Sequence, residues 1–150
     1  MDPVDQRIIA SLVADARASY AEIGARVSLS APAVKRRVDR LRTSGVIKGF
    51  TAVIDPAAVG WNTEAFVELF CTGRTTPAQI MMATRRHPEV IGAYTVSGQA
   101  DALVHLRAAD IAHLEQALER LRAEPFVTST RSMVVLSRLV ETPTPVPAPD

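Results

Sequence analysis

Residues 19–47 read SYAEIGARVSLSAPAVKRRVDRLRTSGVI, and the fold is decided there. Ser19 stands three residues before Glu22, the spacing of a capping box, so a helix is predicted to start at Ser19. Tyr20, Ile23 and Val27 share one face of it. Ser28-Leu29-Ser30 is too short for anything but a tight turn. Ser30 is in position to cap the next helix, and Pro32 falls in its first turn, where a missing N–H does no harm. Val34, Val38 and Leu41 form the apolar stripe of that helix, and Gly45 is a natural stop beyond its end. Upstream, Val4, Ile8, Ile9, Leu12 and Val13 recur at helical spacing and predict a helix over 2–16. Residues 1–45 therefore read as three helices, the last two joined by a turn.

The outer face of the third helix is cationic. On a wheel of about 100° per residue, Val34, Val38 and Leu41 point to the core. Arg36 and Arg40 point away from it, Ala33 lies beside them, and Lys35 and Arg37 flank the face. Between Val34 and Lys48 the chain holds Lys35, Arg36, Arg37, Arg40, Arg42 and Lys48 against Asp39 alone. A helix braced by another across a tight turn fits the major groove of double-stranded DNA. Arginine there can grip phosphate or read guanine through paired hydrogen bonds. The expected DNA-contacting residues are Ser28, Ser30, Ala33, Lys35, Arg36, Arg37 and Arg40, the serines as phosphate donors. A solvated, salt-bridged surface would need anionic partners, and only Asp39 is near in sequence.

Downstream, Val46–Ile54 is rich in β-branched residues, with Phe50, Ala52 and Ile54 alternating, and predicts a strand or β-linker. Asp55-Pro56 and Gly60 break it. The second half predicts a strand over 64–72 and a helix capped by Thr76, with Ile80, Met81 and Thr84 facing inward. Two strands follow, over 90–96 and 102–107, joined by the loop Ser97–Asp101. A helix capped by Asp110 carries Ile111, Leu114, Leu118 and Leu121, and a last strand runs over 127–140. The order β-α-β-β-α-β is that of a ferredoxin-like split unit. The expected class is α+β: a winged-type helix-turn-helix over 1–45, a β-linker over 46–60, and a ferredoxin-like domain over 61–141. The tail 142–150 has four prolines in nine residues and is expected to be disordered.

Composition narrows the function. The 150 residues carry a net charge of +1, which excludes a histone-like polycation. Residues 1–60 hold nine basic against six acidic side chains, and the remainder eight against ten, so positive charge is concentrated in the helical half. Cys71 is the single cysteine, which excludes an intrachain disulfide and fits a reducing cytoplasm. No apolar run approaches a membrane span and no signal-peptide pattern is present, so no membrane partner is expected.

The residues also resemble a family. Ile23, Gly24, Val27, Leu29, Ser30, Val34, Arg37, Val38, Arg40, Leu41, Gly45, Val46 and Ile47 are similar to the pattern of the Lrp/AsnC (feast/famine) transcription regulators, and the resemblance covers about Met1–Val140. It implies homodimers built through the ferredoxin-like sheets, assembled further to octamers. It also implies an amino acid, or a related small effector, bound between subunits. No other cofactor and no metal are expected. By position, the effector loop is Ser97, Gly98, Gln99, Ala100 and Asp101, with Asp101 meeting the ligand's ammonium group and loop amides its carboxylate. Thr128, Ser129 and Thr130 form the second wall. The family usually carries an aromatic residue where Ala100 stands; the missing ring implies room for a bulkier effector, aromatic or branched. Independently, Phe66, Leu69, Phe70, Val104 and Leu106 supply more apolar strand residues than one sheet face needs, which suggests a partner on the open face.

Three rival readings are weighed against this one. Catalysis lacks a motif: His87, His105 and His113 form no metal-binding pair, and no phosphate loop is present. An RNA-recognition module would carry stacking aromatics on its third strand, whereas Ala102–Arg107 has none. A DNA-bending architectural protein without an effector remains compatible with the sequence.

Overall fold

The computed structural model describes residues 1–140; the expected disorder of 142–150 lies outside them. The chain divides into two compact units, one built on Met1–Ala52 and the other on Val53–Arg138.

The first unit is helical. α1 spans Pro3–Ala14, α2 Tyr20–Val27 and α3 Ala31–Thr43. Asp2 caps α1 in a reciprocal box with Asp5, and Ser19 caps α2 in another with Glu22. Ser30 holds the N-cap position of α3 but makes no side-chain cap bond, which corrects the capping expected of its hydroxyl. Ile8, Leu12, Ile23, Val27, Val34 and Val38 close one core. Val13, expected inside, is exposed, because the α1 stripe is narrower than the sequence suggests. Gly24 is required sterically: a Cβ there would lie 2.3 Å from the carbonyl oxygen of Leu29. That carbonyl belongs to the turn in which Leu29 N–H donates to Gly24 O at 2.9 Å. Gly45 adopts φ 76°, and the Ile47 amide then returns to Leu41 O at 3.0 Å, ending α3.

Residues 46–54 form no ladder with any described strand, so the strand expected there is not made. Their β-branched side chains favour extended backbone, yet a strand also needs a neighbour to pair its amides. Val53 is 99% exposed. A short 3-10 turn at Ala57–Val59 follows.

The second unit is ferredoxin-like. β1 (Thr63–Cys71), α4 (Pro77–Thr84), β2 (Val90–Thr95), β3 (Ala102–Ala108), α5 (Ile111–Arg122) and β4 (Val127–Val134) follow in chain order. The strands pair antiparallel in the order β2-β3-β1-β4. Ala65, Val67 and Leu69 of β1 and Ala102, Val104, Leu106 and Ala108 of β3 face one way, packing with Ile80, Leu114, Leu118 and Leu121. Met81 and Ile111, expected inside, are exposed, and Ala83 and Ala117 take their places; Ile111 is the first residue of its helix, before α5 has settled on the sheet. β4 stops at Val134 rather than running to 140. Val134 pairs with Ala65, close to the start of β1, and Val135 N–H makes a last bond to Glu64 O at 2.8 Å. Beyond that the partner strand has run out.

Period-two alternation turns Phe66, Glu68 and Phe70 of β1 to the other sheet face, with Leu103 and His105 of β3 and Arg131 and Met133 of β4. On this face Phe66 stacks on His105, with centroids 4.3 Å apart, and the Arg131 guanidinium lies 5.6 Å from the Phe70 ring centre. Leu69, Val104 and Leu106 face the helices instead. The open face therefore keeps Phe66 and Phe70 of the apolar residues read from the sequence.

Candidate DNA interface and effector loop

α3 presents its cations unequally. Arg36, Arg42 and Lys48 are exposed and make no ion pair among the described residues. Lys35 binds Asp39 one turn away, Nζ to Oδ2 at 2.6 Å. Arg37 and Arg40 bind partners that the sequence reading missed. Arg37 Nη1 donates to Asp2 Oδ2 at 2.6 Å and to Asp5 Oδ1 at 2.8 Å. Arg40 Nη2 donates to both oxygens of Asp5, at 3.0 and 2.7 Å. The view that Asp39 alone could pair with these cations is thereby corrected. Asp5 sits in the apolar stripe of α1 with Ile8 and Leu12, where a carboxylate is costly unless paired. That anomaly was the available signal. Burial pushes the Asp5 carboxyl up, but Arg37, the Asp2 amide and Arg40 outweigh it and hold the group below its ordinary value. Asp2 is lowered chiefly by its bond to Arg37.

The remaining expected contacts lie around the turn. Ser28 adopts φ 58° and is exposed. The Ser30 hydroxyl, unused as a cap, is exposed beside the first-turn amides of α3. Ala33 is half-buried. Turn hydroxyls, helix N-terminal amides and exposed arginine are together suited to phosphate oxygens.

The loop Ser97–Asp101 and the residues Thr128–Thr130, expected to hold an effector, meet at one end of β1. Asp101 N–H donates to Leu69 O at 2.9 Å, and its Oδ2 accepts from Cys71 N–H at 2.7 Å. From the other side Thr128 Oγ1 donates to Phe70 O at 2.8 Å. Ser97, Gly98 and Gln99 are exposed, and Gly98 adopts φ 124°, a conformation that favours glycine. The wall is split between two faces: Thr130, paired with core-facing Leu69, accepts from Arg122 Nε at 3.0 Å, whereas Ser129 pairs with Phe70 on the open side. Ala100 is buried, 7% exposed. A cleft of about 380 Å³ lies elsewhere, between α4 and β2, lined by Ile80, Met81, Thr84, Ile91 and Tyr94.

Two histidines, His105 and His113, are engaged by carboxylates. His105 bonds to Glu64, and His113 Nε2 lies 2.8 Å from buried Glu89, which Arg120 also holds. Burial raises the Glu89 carboxyl, but its own backbone amide, His113 and Arg120 bring it below the ordinary value. The Cys71 thiol is pushed up by burial and then by Asp101. Among the described residues, no three His, Cys, Asp or Glu side chains are grouped to hold a metal ion, and no helix is long and apolar enough to cross a membrane.

Known proteins share both units. Residues 1–42 match the AsnC-type helix-turn-helix domain, and residues 64–145 match the Lrp/AsnC ligand binding domain. The chain is 56% identical over 141 residues to the HTH-type transcriptional regulator Rv2324 of Mycobacterium tuberculosis, covering 94% of this chain and 95% of that protein. It is 34% identical over 137 residues to LrpA of the same organism, covering 91% of each. The solved structure of the feast or famine regulatory protein Rv3291c from M. tuberculosis, complexed with L-methionine, superposes with a TM-score of 0.90 at 33% identity, covering 97% of this chain and 99% of that one. AsnC of E. coli shares the fold, with a TM-score of 0.89 at 21% identity over 95% of this chain and 97% of that one. With both units matched in order and nearly the whole length aligned, the chain belongs to the Lrp/AsnC family of transcriptional regulators.

Proposed function

We propose that the chain regulates transcription by binding specific double-stranded DNA through α3, with its affinity or assembly set by an amino acid bound between subunits of the second unit. The observation that carries the DNA reading is exposed Arg36, without an ion pair among the described residues, beside tethered Arg40 on a helix braced across the Gly24–Leu29 turn. Arg36, Arg40, Lys35 and Arg37 with Ser28, Ser30 and Ala33 form the contact set, Arg37 chiefly by fixing the helix. Residues 1–45 carry DNA binding, 46–60 link, and 61–141 bind effector and assemble. The regulator acts in the cytoplasm, where its DNA lies.

Support for an amino-acid effector comes from the relative complexed with L-methionine. The loop Ser97, Gly98, Gln99, Ala100 and Asp101, with Thr128, Ser129 and Thr130, is the site proposed for it. Exposed Gly98 and the loop amides suit a carboxylate, and the second oxygen of Asp101 suits an ammonium group. The open sheet face of Phe66, Phe70 and Met133 supports a homodimer built sheet to sheet, with octamers as the larger assembly. The effector moves DNA affinity only as far as its own affinities for two assemblies differ. Selection of bound genomic fragments, followed by gel shift with each of the twenty amino acids, tests the proposal. Retention of no fragment overturns the DNA reading.

A second reading is a DNA-bending architectural protein without an effector. The occupied Asp101 Oδ2 favours it, since a carboxylate already bound to Cys71 is less available to a ligand. Calorimetry with the amino acids separates the two: absence of heat, with no change in the gel shift, supports architecture.

A further inference from the structure

We infer that Asp5 is a positioning residue for DNA recognition: it holds Arg37 inward and fixes one edge of Arg40, so that α3 offers the duplex one oriented fork and one freely moving cation. The inference rests on the DNA-binding reading and goes beyond it by assigning a role on α1, outside the helix-turn-helix pair. Asp5 is 1% exposed, and it receives Arg37 Nη1 at 2.8 Å and Arg40 Nη2 at 2.7 Å. A buried carboxylate with two guanidinium partners is weak support for stability, because a well-packed apolar residue serves as well or better. Its effect on geometry is specific. Both Asp5 oxygens take the same nitrogen of Arg40, so Nη1 and Nε are left for an outside acceptor. The Arg40 side chain is 60% exposed, whereas Arg37 is 25% exposed and its Nη1 is shared between Asp2 and Asp5.

Charge and direction are thereby separated along one face. Arg36, one turn before Arg40, keeps its full charge and its rotamer freedom, which suits phosphate at any sequence. Arg40 is partly neutralised, so it adds little to non-specific attraction, but its donors are aimed. An aimed fork discriminates between base edges where a mobile one cannot. Asp2 stabilises the arrangement at one remove: its Oδ1 accepts Asp5 N–H at 2.8 Å and its amide donates to Asp5 Oδ2 at 3.1 Å.

The test compares binding of the full chain to a duplex selected from the genome that encodes it and to a scrambled duplex of equal length, over a range of salt. Asp5→Asn is expected to lower the ratio of selected to scrambled affinity about tenfold or more. It removes a negative charge, so binding to the scrambled duplex should hold or strengthen and its salt slope should steepen. A merely structural role would weaken both duplexes together, by the folded fraction measured by circular dichroism. Arg40→Lys, at an exposed position, keeps the charge but not the fork. It is expected to reproduce the lost ratio with the scrambled duplex unchanged, which keeps the test decisive if Asp5→Asn fails to fold. An unchanged ratio in Arg40→Lys, or in folded Asp5→Asn, overturns the inference. Arg36→Ala serves as the separate arm: if it too leaves both duplexes bound as before, the DNA reading of α3 has failed, not only the role of Asp5.

Discussion

Asp101 and Cys71 stand thirty residues apart, and the carboxylate of one holds the amide of the other at 2.7 Å. The residue that resembles a ligand contact is thus also a clasp between the β2–β3 loop and the end of β1. Asp101→Ala should destabilise the second unit by about 0.5–1.5 kcal/mol, the net worth of one hydrogen bond at a site open to water. Asp101→Asn, which keeps an acceptor oxygen, should recover part of it. Urea unfolding midpoints check both. Any effector response should disappear in both variants, since Asn carries no charge for an ammonium group.

Gly24→Ala should cost about 1–3 kcal/mol as an overpacking change, because its methyl would sit 2.3 Å from the Leu29 carbonyl oxygen. The turn must then open and α3 must move. Thermal unfolding should shift down, and DNA binding should fall further than the loss of folded protein explains.

Arg36→Ala combined with Arg40→Ala should weaken DNA binding and flatten its dependence on salt. Each phosphate that the variant no longer neutralises takes about 0.9 from the logarithmic slope. Fluorescence anisotropy between about 50 and 200 mM salt gives that slope.

Acid should unfold the protein through carboxyls held low in the folded state. Asp5, Glu64 and Glu89 are all lowered from their ordinary values. Such groups stabilise the fold above the ordinary carboxyl range of about 4, and that stability is lost as pH falls through their folded values. Glu89→Gln should therefore lower stability at neutral pH and flatten the acid limb. Trp61, whose ring centre lies 6.0 Å from that of His113 beside Glu89, gives a fluorescence readout.

Phe66→Asp should leave the core of the second unit intact, because Phe66 lies on the open sheet face. It should shift the molecular mass toward the monomer if that face joins two copies. Light scattering at several concentrations measures it.

The helices and strands were legible in the sequence because local chemistry repeats itself there. Ser19 with Glu22 and Thr76 with Gln79 both form capping boxes, whereas Leu69, Val104 and Leu106, read with Phe66 and Phe70 as apolar strand residues, were not assigned to the core they join. Of strand and β-linker over 46–54, the strand is not made, because composition reports what the backbone favours and not whether a neighbour pairs with it. The pairing of Arg37 and Arg40 was missed because Asp2 and Asp5 are more than thirty residues away, and charge counting along the chain sees only near neighbours. At the loop, Gly98 was visible from its type. The bond of Asp101 to a backbone amide was not, since any residue at position 71 other than proline would have supplied that donor.

The double duty of Asp2 reaches into laboratory practice. One carboxylate starts α1 and grips Arg37 of α3. An affinity tag fused in front of Met1 adds charge and bulk beside the carboxylate that holds Arg37. Binding constants measured with such a tag in place will describe a different molecule from the one measured after its removal.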